Sequence, residues 1–324
     1  MSLTAVTCPQ CGGGLPRQAI WRTVSCPYCG ATVTRRPYCV EAARLRATAA
    51  RVQAGVLARK AGAWPILRCA GRRFHLLARV GIGENAEVHL AERIAPLPER
   101  IIVKLAHATT GKGVLAGEAA TLGALIGDAA ATPLLTQRLP QPIGVAVGET
   151  GADEGREVLL LRHHGGYWGS LAQVIEHSPG GVDPRHAVWI WRRALDVLAG
   201  VHAKGWTHGD LAPEHWLVHP RDHGILLVGW ARAVRDASAA RVARDLRQSA
   251  WTVRWLLSGG DASPLPSPAT PPPLANLLER SSEDAAWCAT VGAQGLDQAL
   301  LEAARAAFGP PRFVHFNPIA AAGH

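Results

Sequence analysis

The sequence predicts an α+β fold with a small cysteine-rich module in front of it, and three observations lead to this prediction. Short apolar segments separated by glycine and polar turns run from residue 79 to residue 106, as is typical of paired strands. Longer segments with apolar residues at helical spacing follow from residue 187 onward. Four cysteines, arranged in two similar pairs, occupy the first thirty residues. A chain of 324 residues can hold one two-part domain and a small module.

Residues 206–231, WTHGDLAPEHWLVHPRDHGILLVGWA, contain the most informative pattern of the chain. The pattern begins with His-x-Asp at His208 and Asp210, and Pro213 lies three residues beyond the aspartate. A predicted strand, a polar turn and a second strand follow, and the tripeptide Gly-Trp-Ala ends the pattern at residues 229–231. This combination resembles the catalytic loop and the metal-binding hairpin of the protein kinase family.

The segments upstream of this pattern occur in the order that the kinase resemblance requires. Residues 79–91, RVGIGENAEVHLA, predict two strands around a glycine turn, and Gly81, Gly83 and Val88 match the phosphate-covering loop of the family. Glycines in such a loop let backbone N–H groups approach phosphate oxygens. An ordinary glycine hairpin is the alternative that the residues leave open.

Lys104 lies inside the apolar strand IIVKLA and matches the strand lysine of the kinase family. The chain has only four lysines among its 34 basic residues, so a lysine here suggests that a compact ammonium group is needed. Glu118, at the start of an apolar helical stripe, resembles the carboxylate that pairs with this lysine. A lysine whose stem snorkels along apolar surface and a solvated helix glutamate are the alternatives.

Asp245 resembles the buried aspartate that holds the catalytic-loop backbone in the family. An aspartate near the start of a helix is also favoured by the helix dipole, so this residue alone decides little. The similarity extends over about residues 70–260, and it implies a bilobal protein-kinase-like fold. We therefore predict a kinase-like N-lobe at residues 66–164 and a kinase-like C-lobe at residues 165–324.

Both metal-ligand positions that the resemblance implies are altered in this chain. His215 stands where the family has an asparagine, and Gly229 stands where it has an aspartate. Magnesium prefers hard oxygen ligands, which neither residue supplies. Asp210 keeps the base position, but Ala212 replaces the lysine that contacts the moving phosphoryl group. ATP stays a candidate cofactor with its Mg²⁺ in doubt, and little or no phosphotransfer is expected.

An active enzyme is the alternative to this prediction. Glu214, Asp222 or Asp236 could replace a lost metal ligand, which would make the chain an atypical kinase that uses Asp210 as its base. The stretch between the Gly-Trp-Ala tripeptide and Asp245 is short and contains no Ala-Pro-Glu motif. Because little room is left for a peptide-docking platform, this stretch resembles the small-molecule kinases of the fold.

The front of the chain contains a second motif, in which Cys8, Cys11, Cys26 and Cys29 form two Cys-Pro-x-Cys-Gly pairs. Four thiolates at this spacing suit tetrahedral zinc, and the array resembles a zinc ribbon over residues 1–38. Four protein ligands leave no open coordination position, so the zinc is expected to be structural. A disulfide framework is the alternative, but no signal peptide precedes the cysteines, and a cytoplasmic protein is expected.

The basic excess of the chain is also at its front. Residues 1–73 carry twelve basic residues and one acidic residue, a net charge of +11, whereas the remainder carries −2. Residues 39–65 are predicted to form a basic linker helix. A basic module could bind nucleic acid, an acidic protein face or the kinase-like lobe, and a solvated arginine-rich face is the alternative.

The leading prediction is therefore a cytosolic pseudokinase with a zinc ribbon, which acts as a regulatory or scaffolding module for a protein partner. No apolar run reaches the roughly 18 residues of a membrane span, so no membrane association is expected. Tryptophans are expected to fill much of the core, with Trp230 in the phenylalanine position of the kinase tripeptide. The larger lobe is predicted to bury Trp189, Trp191, Trp216, Trp251 and Trp255.

Overall fold

The computed structural model describes residues 13–15, 23–26, 28, 32–34, 64–96, 99–108, 111–127, 133–261 and 269–318. The described residues form two compact units. The helical unit comprises residues 166–229 and 234–318 together with the described part of residues 1–44. The sheet unit comprises the described part of residues 45–165 together with residues 230–233. In this part of the chain, no helix has both the length and the apolar character that crossing a membrane requires.

The fold is a mixture of helices and antiparallel strands, which confirms the predicted α+β class. The chain passes from the sheet unit to the helical unit between Gly165 and Gly166, next to the predicted lobe boundary. Residues 230–233 return to the sheet unit, which the lobe prediction did not include.

The front module contains an antiparallel pair of short strands, β1 (Thr23–Ser25) and β2 (Thr32–Thr34). The two strands flank the second Cys-Pro-x-Cys-Gly sequence, of which Cys26 is buried. The other three cysteines of the array, and nearly all of the predicted linker helix at 39–65, lie outside the described residues. The zinc site and the linker helix therefore stay predictions.

The sheet unit is built on a six-stranded antiparallel sheet. Its strands are β3 (Ile66–Cys69), β4 (Arg72–Ile82), β5 (Ala86–Arg93), β6 (Arg100–Ala106), β7 (Pro142–Val147) and β8 (Glu157–Arg162). The order across the sheet is β3-β4-β5-β6-β8-β7. A bridge between Cys69 and Gly148 joins the two outer strands at one end, so the sheet curls. Side chains of alternate strand residues fill its core, among them Leu67, Phe74, Val103, Leu105, Val158 and Leu160.

Helix α1 (Val114–Gly127) packs in the sheet unit, and the four-residue helix α2 (Pro133–Thr136) follows it. The buried face of α1 carries three leucines and Glu118. The first N–H groups of this helix have no partners within it. The Glu157 carboxylate on β8 accepts two of them, from Leu115 at 3.1 Å and from Ala116 at 3.0 Å. A negative charge is also favourable at a helix N-terminus, so Glu157 fixes where α1 begins.

The helical unit contains β9 (Gly169–Ser170), α3 (Leu171–Glu176), α4 (Pro184–Ala203), β10 (Trp216–His219), β11 (Gly224–Leu227), α5 (Ala239–Leu257), α6 (Pro272–Glu283) and α7 (Ala285–Phe308). The strands form a small antiparallel sheet in the order β11-β10-β9. Helix α7 packs against α4, α5 and α6. In the core, the indole N–H of Trp191 on α4 donates to the Ser249 hydroxyl on α5 at 2.9 Å.

The tryptophan prediction is confirmed for Trp191, Trp216 and Trp230, which are buried, and is wrong for Trp251. Trp251 is 38% exposed, and the guanidinium carbon of Arg254 lies 4.7 Å from the centroid of its ring. The buried face of α5 carries Leu246, Ala250, Val253 and Leu257 at helical spacing, and Trp251 lies outside this stripe. Trp189 and Trp255 are half-buried.

Candidate functional site

Asp245 anchors the loop that follows α4 in the helical unit. Its Oδ2 accepts a hydrogen bond from the His208 N–H at 2.8 Å, and its Oδ1 accepts one from the Gly209 N–H at 2.9 Å. His202 Nε2 lies 3.0 Å from Oδ2. Burial alone would raise the pKa of Asp245, but the hydrogen bonds from His202, Gly209 and His208 outweigh it and lower the pKa. The carboxylate therefore stays charged and holds two consecutive backbone N–H groups.

His208 connects this loop to the end of strand β11. Its Nε2 donates to the backbone oxygen of Val228 at 3.0 Å, and its Nδ1 accepts the N–H of Asp210 at 3.2 Å. Because a carbonyl oxygen can only accept, Nε2 carries the proton and Nδ1 does not. Burial lowers the pKa of His208 to about 4. His208 is therefore a neutral, internal support of the loop.

His215 lies directly against Gly229. Its Nδ1 is 2.8 Å from the backbone oxygen of Asp210, so Nδ1 carries the proton and the ring is held at one edge. At the other edge, a β-carbon on Gly229 would lie 2.5 Å from Cδ2 and 2.6 Å from Nε2 of His215. Gly229 also has a φ of +80°, a conformation that favours glycine. The imidazole thus occupies the space that a side chain at residue 229 would need.

The residues at the two metal-ligand positions do not fit magnesium. Gly229 supplies no donor atom, and His215 supplies imidazole nitrogen instead of the oxygen that magnesium prefers. The Asp210 carboxylate lies 3.7 Å from His215 Nδ1, whose proton is already donated to a backbone oxygen. Across the residues that the structure describes, no three His, Cys, Asp or Glu side chains gather where they could hold a metal ion.

The three carboxylates considered as substitutes have other surroundings. Glu214 is exposed on the short 3-10 helix Pro213–His215. Asp222 is exposed in the turn between β10 and β11, with Arg221 Nε 3.0 Å away. Asp236 accepts the N–H of Ser238 at 2.9 Å, and Arg241 Nε lies 2.8 Å away. The bonds with Ser238, and with Arg241 after it, lower the pKa of Asp236.

In the sheet unit, the Glu118 carboxylate joins three elements. Its Oε2 lies 2.5 Å from Lys104 Nζ on β6, and its Oε1 accepts the Trp230 N–H at 3.2 Å. The Glu118 side chain is 1% exposed and that of Lys104 is 16% exposed. Both carboxylate oxygens are therefore used, one by an ammonium group and one by the backbone of the short 3-10 helix Trp230–Arg232.

The glycine turn lies between β4 and β5. Strand register sets Gly81 opposite Val88, and Val88 in turn opposite Lys104, so three predicted site residues are neighbours across the sheet. The Gly83 N–H donates to the Ala86 oxygen at 2.9 Å, which closes the turn. A β-carbon at Gly81 or Gly83 would make only ordinary contacts, at 3.9 Å and 3.7 Å. The hairpin itself does not demand glycine at either position.

A charged pair lies at the tip of the same turn. Arg232 donates to the Glu84 carboxylate at 2.6 Å, and both side chains are more than half exposed. A solvated pair of this kind contributes at most about 1 kcal/mol to stability. Because the Arg232 guanidinium neutralises the Glu84 carboxylate, the pair adds no net charge beside Gly83.

His202 belongs to the loop anchor, but the sequence did not reveal it. It lies 43 positions before Asp245, so their contact depends on how α4 and α5 pack. The hydrogen bond from the Trp230 N–H to Glu118 was also not predicted, because the sequence indicates a side chain at residue 230 and says nothing of its backbone partner.

No family model matches this chain, and no curated protein matches it. A solved structure of vaccinia related kinase 3 is similar, with 19% sequence identity and a TM-score of 0.46. The match covers 65% of this chain and 73% of that protein. The likeness is too distant to transfer a site or a function to this chain.

Proposed function

We propose that this chain is a kinase-like binding module that transfers little or no phosphate and acts in a regulatory or scaffolding role. The contact between His215 and Gly229 carries this proposal. An aspartate at residue 229 could not project while the imidazole stays where it is. The local structure therefore has no space for the metal ligand that the kinase resemblance implies at residue 229.

The loop that carries Asp210 keeps the hydrogen bonds that hold its backbone. This favours a binding module that retains the fold over a chain that has lost it. Asp245 and His208 hold the backbone of residues 208–210 with three hydrogen bonds no longer than 3.2 Å, and a fourth, at 3.0 Å, joins His208 to Val228. Phosphoryl transfer depends on positioning and on neutralising phosphate charge, and metal ions supply much of the latter. Without them, a well-held Asp210 has no polarised phosphate to act on, and the rate falls by a few powers of ten.

Weak nucleotide binding without magnesium follows from the same reasoning. Lys104, Gly81 and Val88 are neighbours in the sheet unit, as a nucleotide site of this family would need. Lys104 keeps the ion pair with Glu118 that the resemblance implies, but the Gly83 N–H is used within the turn and neither metal-ligand position supplies an oxygen ligand for magnesium. Few groups are left to attract a triphosphate.

Calorimetry with ATP tests this proposal. The natural chain is titrated with ATP in the presence and absence of Mg²⁺, and the His215→Asn/Gly229→Asp double variant is titrated in parallel. We expect weak affinity that Mg²⁺ leaves unchanged in the natural chain, and a rise with Mg²⁺ in the double variant alone. A tenfold rise with Mg²⁺ in the natural chain would show that a metal ligand has been overlooked.

For the front module we propose one structural zinc on Cys8, Cys11, Cys26 and Cys29. Their spacing suits tetrahedral thiolate ligation, and the burial of Cys26 is compatible with it.

A protein partner is proposed for the whole chain, and the +11 charge of residues 1–73 keeps nucleic acid as a second candidate.

A further inference from the structure

Tyr28, between Cys26 and Cys29, inserts into an aromatic pocket of the helical unit. Its ring centroid lies 5.7 Å from that of His223 and 5.6 Å from that of Phe313, both in edge-on geometry. The hydroxyl group donates to the backbone oxygen of Asp222. Tyr28 therefore forms a contact between the front module and the rest of the helical unit.

His223 is the centre of the receiving pocket. Its ring is stacked between Trp189, with centroids 4.2 Å apart and planes 9° apart, and Phe313, at 4.2 Å and 21°. His223 is 3% exposed and has a φ of +47°, so the turn between β10 and β11 holds it in a conformation that is uncommon for histidine. The pocket therefore combines this turn, helix α4 and the C-terminal segment 309–318.

The residues around the pocket show which interactions hold Tyr28 there. The guanidinium carbon of Arg193 lies 5.3 Å from the centroid of the Tyr28 ring, and the exposed Arg221 is in the same turn as His223. Asp222 contributes its backbone oxygen to the tyrosine. Aromatic packing, a cation–π contact and the hydrogen bond to Asp222 thus hold Tyr28 in the pocket.

Two glycines beside the first cysteine pair differ in what they can tolerate. A β-carbon at Gly13 would overlap the Tyr28 ring at Cδ2. A β-carbon at Gly14 would be 3.8 Å from Asp222 Oδ1, an ordinary contact. Gly13 therefore leaves room for the Tyr28 ring, and Gly14 provides a matched control one residue away.

We propose that Tyr28 is a docking anchor, by which the front module braces the turn 220–223 and the C-terminal segment 309–318 of its own chain. The braced turn leads through β11 to Val228, which accepts the His208 hydrogen bond, so the docked module also supports the backbone of the loop that carries Asp210. The occupant of the aromatic pocket is thus Tyr28 of the chain's own front module, and an external partner would have to use another surface.

Hydrogen exchange followed by mass spectrometry on the full chain tests this inference. The variants are Tyr28→Ala, Gly13→Ala and the control Gly14→Ala, and peptides that cover residues 220–228 and 309–318 are compared. Removing the anchor should speed exchange in both peptides by about tenfold or more, because both lose the packing that protects them. Gly14→Ala should leave them as in the natural chain.

Two further measurements distinguish loss of the Tyr28 contact from unfolding of an unstable variant. Exchange in residues 100–106 of the sheet unit reports global unfolding and should not change. Phe313→Ala, made on the receiving side, should speed exchange in residues 23–28 reciprocally. The inference is overturned if Tyr28→Ala and Gly13→Ala leave both peptides unchanged. It is equally overturned if Gly14→Ala has the same effect as Gly13→Ala.

Discussion

His215 and Gly229 fit each other, with the imidazole ring in the space that a β-carbon at residue 229 would fill. The ring is fixed from its other edge by the backbone oxygen of Asp210 at 2.8 Å. The residues at the two altered metal-ligand positions are therefore in direct contact with each other.

Restoring an aspartate at residue 229 alone should destabilise the chain. Gly229→Asp adds a clash with His215 to the strain of a positive φ, and we expect a loss of about 2–4 kcal/mol in the free energy of unfolding. His215→Asn removes the clash, so the double variant should regain more than about 1 kcal/mol of that loss. Urea unfolding of the natural chain, the two single variants and the double variant gives the coupling free energy between residues 215 and 229.

Gly205→Asp separates the clash from the strain. Gly205 lies in the same unit with a φ of +77°, and a β-carbon there would have nothing within 4 Å. This variant should lose only about 1 kcal/mol. If Gly229→Asp costs no more than Gly205→Asp, or if His215→Asn does not relieve it, the proposed fit between the two residues is wrong.

The buried His208 predicts a loss of stability in mild acid. Its pKa is lowered to about 4 by burial, whereas in the unfolded chain it titrates near its ordinary value of about 6.5. As the pH falls from about 6.5 to about 4, the unfolded chain binds a proton that the folded chain does not, so the free energy of unfolding decreases. One such histidine contributes up to about 1.4 kcal/mol per pH unit.

The pH effect is measured as the difference between His208→Gln and the natural chain. The free energy of unfolding, measured by urea titration at pH 7, 6 and 5, should fall less steeply with pH in the variant. The two slopes should differ by at most the effect of one bound proton, about 1.4 kcal/mol per pH unit. His177→Gln, at an exposed histidine, is the control variant. Identical slopes in the natural chain and His208→Gln would contradict the neutral, buried state of His208.

Lys104 should stabilise the sheet unit whether or not a nucleotide binds. Lys104→Met leaves the buried Glu118 carboxylate without its cation, which costs about 3–5 kcal/mol. Lys104→Met/Glu118→Gln removes the charge but keeps an acceptor for the Trp230 N–H, so part of the loss should return. Lys112→Met, at an exposed lysine, is the control. A silent Lys104→Met would mean that the pair has no structural role.

Zinc content tests the front module. Metal analysis should find about one zinc per chain, and Cys11→Ser should abolish it because three thiolates remain. Cys69→Ser should keep the metal, since Cys69 lies in the core of the sheet unit, where burial raises the pKa of its thiol to about 11. Zinc that persists in Cys11→Ser, or that is lost in Cys69→Ser, would reject this ligand set.

The α+β class and the order of the elements could be predicted, because they follow from local patterns. The strands around Gly81 and Gly83, the strand with Lys104 and the helix with Glu118 are all visible as periodicities and turn residues. The structure brings Lys104 to Glu118, and Asp245 to the loop at His208 and Gly209, where the kinase resemblance implied these contacts.

The remaining features depend on packing between distant parts of the chain. The sequence shows that Gly229 lacks a metal ligand but does not show that His215 fills the space beside it. That contact arises only when the hairpin of β10 and β11 brings the two residues together. The seat of Tyr28 at His223 joins positions 195 apart in the chain, and no local pattern indicates it. The outward position of Trp251 is different, because the helical spacing of Leu246, Ala250, Val253 and Leu257 marks the buried face of α5 and Trp251 lies outside it.

Phosphoryl transfer from ATP is the measurement that tests the central claim most directly. The natural chain and Asp210→Ala are assayed side by side with Mg²⁺, for ATP hydrolysis and for transfer to protein and small-molecule acceptors. We predict that the two proteins are indistinguishable, because Asp210 acts on no metal-polarised phosphate. Robust turnover in the natural chain that Asp210→Ala removes would contradict the proposal and make this chain an atypical kinase.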